Sequence, residues 1–166
     1  MRNLHSSVFT ILFLFLILLS ACSSIDCPVE NQVYTVYHIY NRAGEETTLE
    51  DTLFVWTPRA DGTDTLLIGS ATSRKSIQLP ISYNNSEDLF VFYICDTLQQ
   101  VTLDTVWVSK ADTPHFESVD CKATYFHEIL GVRSTHDGID TVIINNPHVH
   151  YDPSQEHFHI IFKSRY

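Results

Sequence analysis

The chain has 166 residues, a formal net charge of −10 with histidine neutral, and 12% aromatic residues. Twenty acidic residues against ten basic ones exclude nucleic-acid binding through a basic face, and disfavour attachment to an anionic bilayer through basic side chains. Five Gly and six Pro are too few for a low-complexity segment, while ten Phe, eight Tyr and two Trp suffice for one core.

The first 22 residues read as a secretory signal. Arg2 supplies a positive charge, Val8 to Leu19 is apolar apart from Thr10, and Leu19-Ser20-Ala21-Cys22 follows. The apolar run is shorter than the ~20 residues that a membrane-spanning helix needs. Small residues leading into Cys22 resemble a bacterial lipoprotein box, where diacylglycerol and then palmitate-type chains are attached before and after cleavage. Residues 1–21 are therefore expected to be a removed signal, residues 22–31 a lipid-anchored tether, and residues 32–166 a single domain. Two or three acyl chains anchor a protein stably, because each buried CH₂ contributes ~0.8 kcal/mol. The expected location is the cell envelope, at the outer membrane, facing either the periplasm or the outside.

Strand signals then recur at short intervals. Gln32 to Tyr40 alternates Val33, Thr35, Tyr37 and Ile39 against Tyr34, Val36, His38 and Tyr40. Leu53 to Thr57 and Thr65 to Ile68 flank Arg59-Ala60-Asp61-Gly62-Thr63, a hairpin turn by composition. Ser76 to Leu79 is stopped by Pro80. Leu89 to Cys95 is continuously apolar, as in a strand buried on both faces. Val101 to Ser109 follows. Thr124 to Val132 and Ile139 to Ile144 bracket Asp137-Gly138, a second hairpin signal. Val149 and His157 to Phe162 close the pattern. No segment sustains the i, i+3, i+4 spacing of a helix. The expectation is an all-β fold, an antiparallel immunoglobulin-like β-sandwich, with a barrel as the alternative.

From Leu79 onward the chain carries Leu79-Pro80-Ile81, Val106-Trp107-Val108 after Asp104, Val119-Asp120-Cys121, Ile139-Asp140-Thr141-Val142 and His159-Ile160-Ile161-Phe162, with Cys27 near the start. In these residues it resembles a domain-of-unknown-function family of small Bacteroidota lipoproteins. The chain departs from the family pattern at Lys122, where glycine often follows the cysteine. The resemblance implies a β-rich cell-envelope protein and no particular activity.

Three sets of residues are candidates for chemistry. With Cys22 lipidated, Cys27, Cys95 and Cys121 remain, an odd number that suggests one bridge and one free thiol. Three pairings are open. Cys27–Cys121 is favoured because both sit in polar surroundings, with Cys95 a buried thiol in the core. His148, His150, His157 and His159 flank Tyr151 to Glu156. If the two segments pair as a hairpin, four imidazoles share one face and suit a divalent transition metal. Asp-Thr-aliphatic tripeptides place Thr52, Thr65, Thr97, Thr105 and Thr141 in one pattern, which fits strand starts and is also similar to an O-glycosylation signal of exported Bacteroidota proteins.

Catalytic signatures are missing from the sequence: no Gly-x-Ser-x-Gly elbow, phosphate-cradling glycine loop or His-Glu-x-x-His helix occurs. Glu45, Glu46, Glu50 and Asp51 read as a solvated loop, and Asp61 to Asp64 lacks the ligand spacing of a Ca²⁺ loop. No catalytic residue and no resident cofactor is expected. The leading reading is a non-enzymatic binding or structural module, anchored to the membrane by lipid and partnered by another envelope protein or a glycan. A metal-binding lipoprotein using the histidine face is the alternative, and a hydrolase with an unrecognised site is the third.

Overall fold

The computed structural model describes Cys27 and residues 32–163, and every statement below concerns those residues. The signal, Cys22 and the remainder of the 22–31 tether lie outside them. Ten strands form: β1 (Tyr34–Tyr40), β2 (Thr52–Pro58), β3 (Asp64–Ala71), β4 (Ser76–Pro80), β5 (Glu87–Cys95), β6 (Val101–His115), β7 (Thr124–Ser134), β8 (Ile139–Ile144), β9 (His148–Val149) and β10 (Phe158–Phe162). They make two open sheets ordered β4-β1-β10-β8 and β3-β2-β5-β6-β7-β9. This is a β-sandwich and not a barrel. Pairing is antiparallel except between β1 and β10, which lie parallel and bring the two ends of the described chain together. No helix among the described residues is long and apolar enough to cross a membrane.

The core forms where the alternating residues of both sheets meet. Val33, Thr35, Tyr37 and Ile39 all face inward, as their period-2 spacing requires. Tyr37 stacks on Phe158 at 4.5 Å and meets Phe92 of the other sheet edge-on at 6.4 Å, so one aromatic trio ties the layers together. Full burial of each such side chain contributes ~1.5–3 kcal/mol. Leu53, Val55, Leu79, Ile94, Val106, Val108, Ile139 and Ile160 fill the space around them.

The turn chemistry works as read at β2–β3. Arg59 N–H donates to the Thr63 carbonyl, Asp61 accepts from Thr63 N–H and Oγ1, and Gly62 takes φ +81°, where a side chain is disfavoured. At Asp137-Gly138 the same chemistry does something else. β7 belongs to the six-stranded sheet and β8 to the four-stranded one, so this turn crosses between layers and is not a hairpin. An added Cβ at Gly138 would lie 2.9 Å from Ile94 Cδ1, so a larger residue at the crossing requires the Ile94 side chain to shift.

Strand β5 also differs from its expectation. Asp88, Phe90, Phe92 and Ile94 are buried, while Leu89, Val91, Tyr93 and Cys95 alternate with them and are only half-buried. One face packs on the core and the other is the outer face of the sheet. Cys95 therefore sits outside the core, at the end of an outward-facing row, with its thiol 3.7 Å from the Asp96 carbonyl. The Asp-Thr-aliphatic tripeptides do not share one structural role. Thr52 and Thr65 fall at strand starts, Thr97 lies in the β5–β6 turn, and Thr105 and Thr141 lie inside strands.

Candidate functional site

Strand β6 turns an unusual row inward: Asp104, Val106, Val108 and Lys110 are all buried. Two valines sit in the core and a charged residue lies at each end. A buried charge needs a partner, and the two ends find partners of different kinds.

At one end, the Asp104 carboxylate accepts from Thr135 Oγ1 at 2.7 Å, and from backbone N–H groups of Asp137 at 2.8 Å and Ile139 at 2.7 Å, with Gly138 N–H a fourth donor. Burial pushes its pKa up, but these four donors outweigh that and hold the carboxyl below its usual range. Asp104 thus clamps the crossing from β7 to β8.

At the other end, the Lys110 side chain is 0% exposed. Its Nζ donates to the Asn85 carbonyl at 2.6 Å and to Asp112 Oδ1 at 2.7 Å. Asp112 and His127 face each other across the β6–β7 ladder, and His127 Nδ1 lies 2.7 Å from the same Asp112 oxygen. A register shift between Ser109 and Lys110 sets that alignment. Asp112 is held below the usual carboxylate range, because Lys110 and His127 outweigh the burial that would raise it. Burial depresses the His127 pKa, and the nearby Lys110 charge adds to that against the pull of Asp112. A carboxylate only accepts, so Nδ1 carries the proton and Nε2 of the neutral ring is a bare acceptor.

His127 lines a cavity of about 420 Å³ between the ends of the two sheets, with Gln32, Val33, Ile81, Ser82, Tyr83, Asn84 and Tyr125. Tyr83 and Tyr125 stack in parallel at 5.0 Å. Ser82 gives both its hydroxyl and its backbone N–H to Asp88, at 2.6 and 2.9 Å, and so forms no Ser–His couple. Within this geometry His127 can accept a proton or a hydrogen bond at one oriented nitrogen.

A second feature lies on the outer face of the six-stranded sheet. Phe54 and Trp56 of β2 pack with Tyr93 of β5 at ring distances of 5.7 to 5.9 Å. Register places Leu103 beside Tyr93 and Leu66 beside Trp56. Leu66, Val101 and Leu103 are exposed, so the aromatic trio sits inside an apolar band. Trp107 lies farther along the same face and carries the Arg133 guanidinium 3.9 Å above its ring.

The four histidines read as a metal face do not form one set: His157 meets the His148 backbone and feels the His150 charge, while His159 lies apart from them. β9 pairs with β7 in one sheet and β10 with β8 and β1 in the other, so the expected hairpin does not form. Asp152 organises the intervening loop by accepting from Ser154 N–H, Ser154 Oγ and Gln155, which holds its carboxyl down at about 2. His148 is exposed, and His150 Nδ1 lies 3.3 Å from the Asp152 N–H. His157 is fully buried, and its Nδ1 accepts from Val36 N–H at 3.0 Å. That bond places the ring proton on Nε2, the opposite tautomer to His127. His159 instead joins a surface group: it meets Glu156 at 3.2 Å and stacks against Tyr40 at 4.2 Å, while His38 reaches Glu46 at 2.8 Å. Among the described residues no group of three or more His, Cys, Asp or Glu is placed to hold a metal ion.

Cys27 and Cys121 are joined by a disulfide across 94 positions, fixing the start of the described chain to the segment before β7. Of the five threonines, Thr97 is exposed, Thr52, Thr105 and Thr141 are half-buried, and the Thr65 hydroxyl is buried without a hydrogen bond.

Lys110, Asp112, His127 and the outer aromatic band were not singled out from the sequence. The inward alternation through Val106 and Val108 reaches Lys110, so that residue carried a signal. Asp112–His127 depends on the register across the bulge, which no local pattern encodes.

No curated protein and no solved structure matches the chain. A family model of unknown function, DUF6452, matches residues 52–162, which takes in both charged ends of β6, the cavity's Tyr83, Tyr125 and His127, and the outer aromatic band. The chain belongs to the DUF6452 family.

Proposed function

We propose that this is a lipid-anchored, non-enzymatic binding module of the bacterial cell envelope, of the Bacteroidota lipoprotein type, held at the outer membrane through Cys22. The observation that carries the binding role is the outer face of the six-stranded sheet. Three packed aromatic rings flanked by exposed Leu66, Val101 and Leu103 form a contiguous apolar band. Such bands on folded proteins mark contact sites. The partner is an envelope protein or glycan that lays an apolar or ring-bearing surface on Trp56 and Tyr93. Anchoring is supported by the layout from Arg2 to Cys22, and an oxidising location by the Cys27–Cys121 disulfide.

Two arms test this reading. Mass spectrometry of the native protein is expected to find a chain beginning at an acylated Cys22, and Cys22→Ala to leave an unprocessed precursor. An unmodified Cys22 thiol contradicts the anchor. Crosslinking in intact envelopes is expected to give an adduct that Trp56→Lys with Leu103→Lys abolishes while the melting temperature is kept. An adduct unchanged in that variant removes the face from the reading.

A further inference from the structure

We propose that the β6–β7 loop is a membrane-contact element, whose Phe116 and Val119 rest in the zwitterionic headgroup zone of the bilayer that holds the chain's own lipid anchor. This inference rests on the acylation of Cys22 proposed above. Val119 is 98% exposed and Phe116 62%, and both stand in the short connection between His115 and Thr124. The Cys121 N–H donates to the Ser118 carbonyl at 3.2 Å, which closes a turn with Val119 at its tip. Cys121 is the last residue of that turn and is bonded to Cys27, so the crosslink fixes the turn to the start of the described chain. Two large apolar side chains are thus held out in solvent at the point where the anchored end of the chain arrives.

The length of chain before Cys27 selects the occupant. Only five positions separate Cys22 from Cys27, and that many residues span at most about 18 Å. The Cα atoms of Cys27 and Cys121 are 5.5 Å apart, so the turn lies within about 24 Å of the lipid-bearing residue. Strand β6 has 15 residues and extends about 50 Å from Val101 to His115. A tether this short keeps the His115 end at the bilayer whatever the tilt of the domain. Tyr83, 59% exposed and stacked on Tyr125 just beyond the loop, adds an aromatic ring to that end. Aromatic side chains collect in the headgroup zone. Glu117 and Asp120 against Lys122 leave the loop slightly acidic, so an anionic surface gives no attraction and the contact is apolar. The tether supplies a high effective concentration, and a small apolar contact then suffices. Leu103, near the other end of β6, stays free with the outer aromatic band for the partner proposed above.

The test uses the acylated chain as isolated from membranes, placed in phosphatidylcholine nanodiscs that carry a nitroxide on a fraction of the headgroups. Intact mass first reports the acyl chains on Cys22. Methyl resonances then report closeness to the nitroxide. Those of Val119 and Ala123 are expected to broaden beyond detection, while those of Leu98, exposed in the β5–β6 turn, stay sharp. Phe116→Ser with Val119→Ser changes two exposed side chains, so folding is spared. In that variant the Ala123 methyl should recover most of its intensity, because a tether alone leaves the domain free to turn away from the surface. Acylated protein whose Val119 methyls stay as sharp as those of Leu98 overturns the contact and leaves the anchor standing. Ala123 broadening that the double variant leaves unchanged assigns the position to the tether and overturns the role of the loop. An unmodified Cys22 overturns both readings.

Discussion

The two ends of the inward row on β6 solve the same problem in different ways. Asp104 is satisfied by Thr135 and by three backbone N–H groups of the β7–β8 crossing. Lys110 is satisfied by one carbonyl and by Asp112, which in turn orients His127. A carboxylate bound by the main chain fixes a path that the backbone must take. A row of side chains bound to one another leaves an oriented imidazole beside a cavity. The first arrangement determines topology, and the second fixes the orientation and proton position of a buried ring.

Substitution separates them, because side chains can be replaced together and backbone N–H groups cannot. Asp104→Leu is expected to be the most damaging change, costing about 5 kcal/mol, since it strands buried donors at Gly138 and Ile139. Urea unfolding measures it, and no second substitution should rescue it. Lys110→Met alone is expected to cost about 3–4 kcal/mol by removing the cation that balances Asp112, to which only His127 Nδ1–H then donates. Adding Asp112→Leu together with His127→Leu should return most of that loss, because a buried, mutually paired set is often replaceable by apolar side chains as a unit. If Asp104 variants were rescued in the same manner, the contrast between the ends would disappear. Removing the disulfide with Cys27→Ser and Cys121→Ser should cost about 3 kcal/mol, by freeing a long loop in the unfolded chain.

The pH dependence draws on both ends. Burial depresses the pKa values of His127 and His157 in the folded state. Above an unfolded value of about 6.5 both states are neutral, so these rings leave stability unchanged there. As pH falls below it the unfolded chain takes up protons first, and stability drops. Asp104 and Asp112 are depressed as well, and their contribution is present above about 4 and lost as pH falls through their folded values. The melting temperature should therefore decline in two stages, from about pH 6.5 and again from about pH 4. His127→Gln should flatten part of the first stage. The smallest effect belongs to Cys95→Ala, expected below about 1 kcal/mol because the thiol sits half-buried on the outer face.

Much of the strand pattern was legible in the sequence because a sheet with one solvent-facing side imposes alternation residue by residue. Val33 to Ile39 and the Asp61-Gly62 turn follow from such local rules. The misreadings share one cause. Asp137-Gly138 carries hairpin chemistry, but its N–H groups are captured by Asp104 from a strand more than thirty positions earlier. His157 is held by the Val36 N–H, 121 positions away, through a parallel strand pairing that no local pattern reveals. Sheet membership is set by such distant pairings, and a short segment such as His148–Val149 does not reveal which sheet it joins. The candidate site was hidden for the same reason. Asp112 and His127 stand 15 positions apart, and only the β6–β7 register with its bulge makes them neighbours.

The central claim is that the Lys110 end leaves a neutral, oriented His127 with Nδ1 protonated and Nε2 bare. Two-bond proton–nitrogen correlation spectra of the imidazole side chains at pH 7 test it most directly. The expected result is an Nδ1 resonance typical of a protonated nitrogen and an Nε2 resonance typical of a bare one, with His157 showing the reverse. A His127 ring protonated on Nε2, or on both nitrogens, would contradict it.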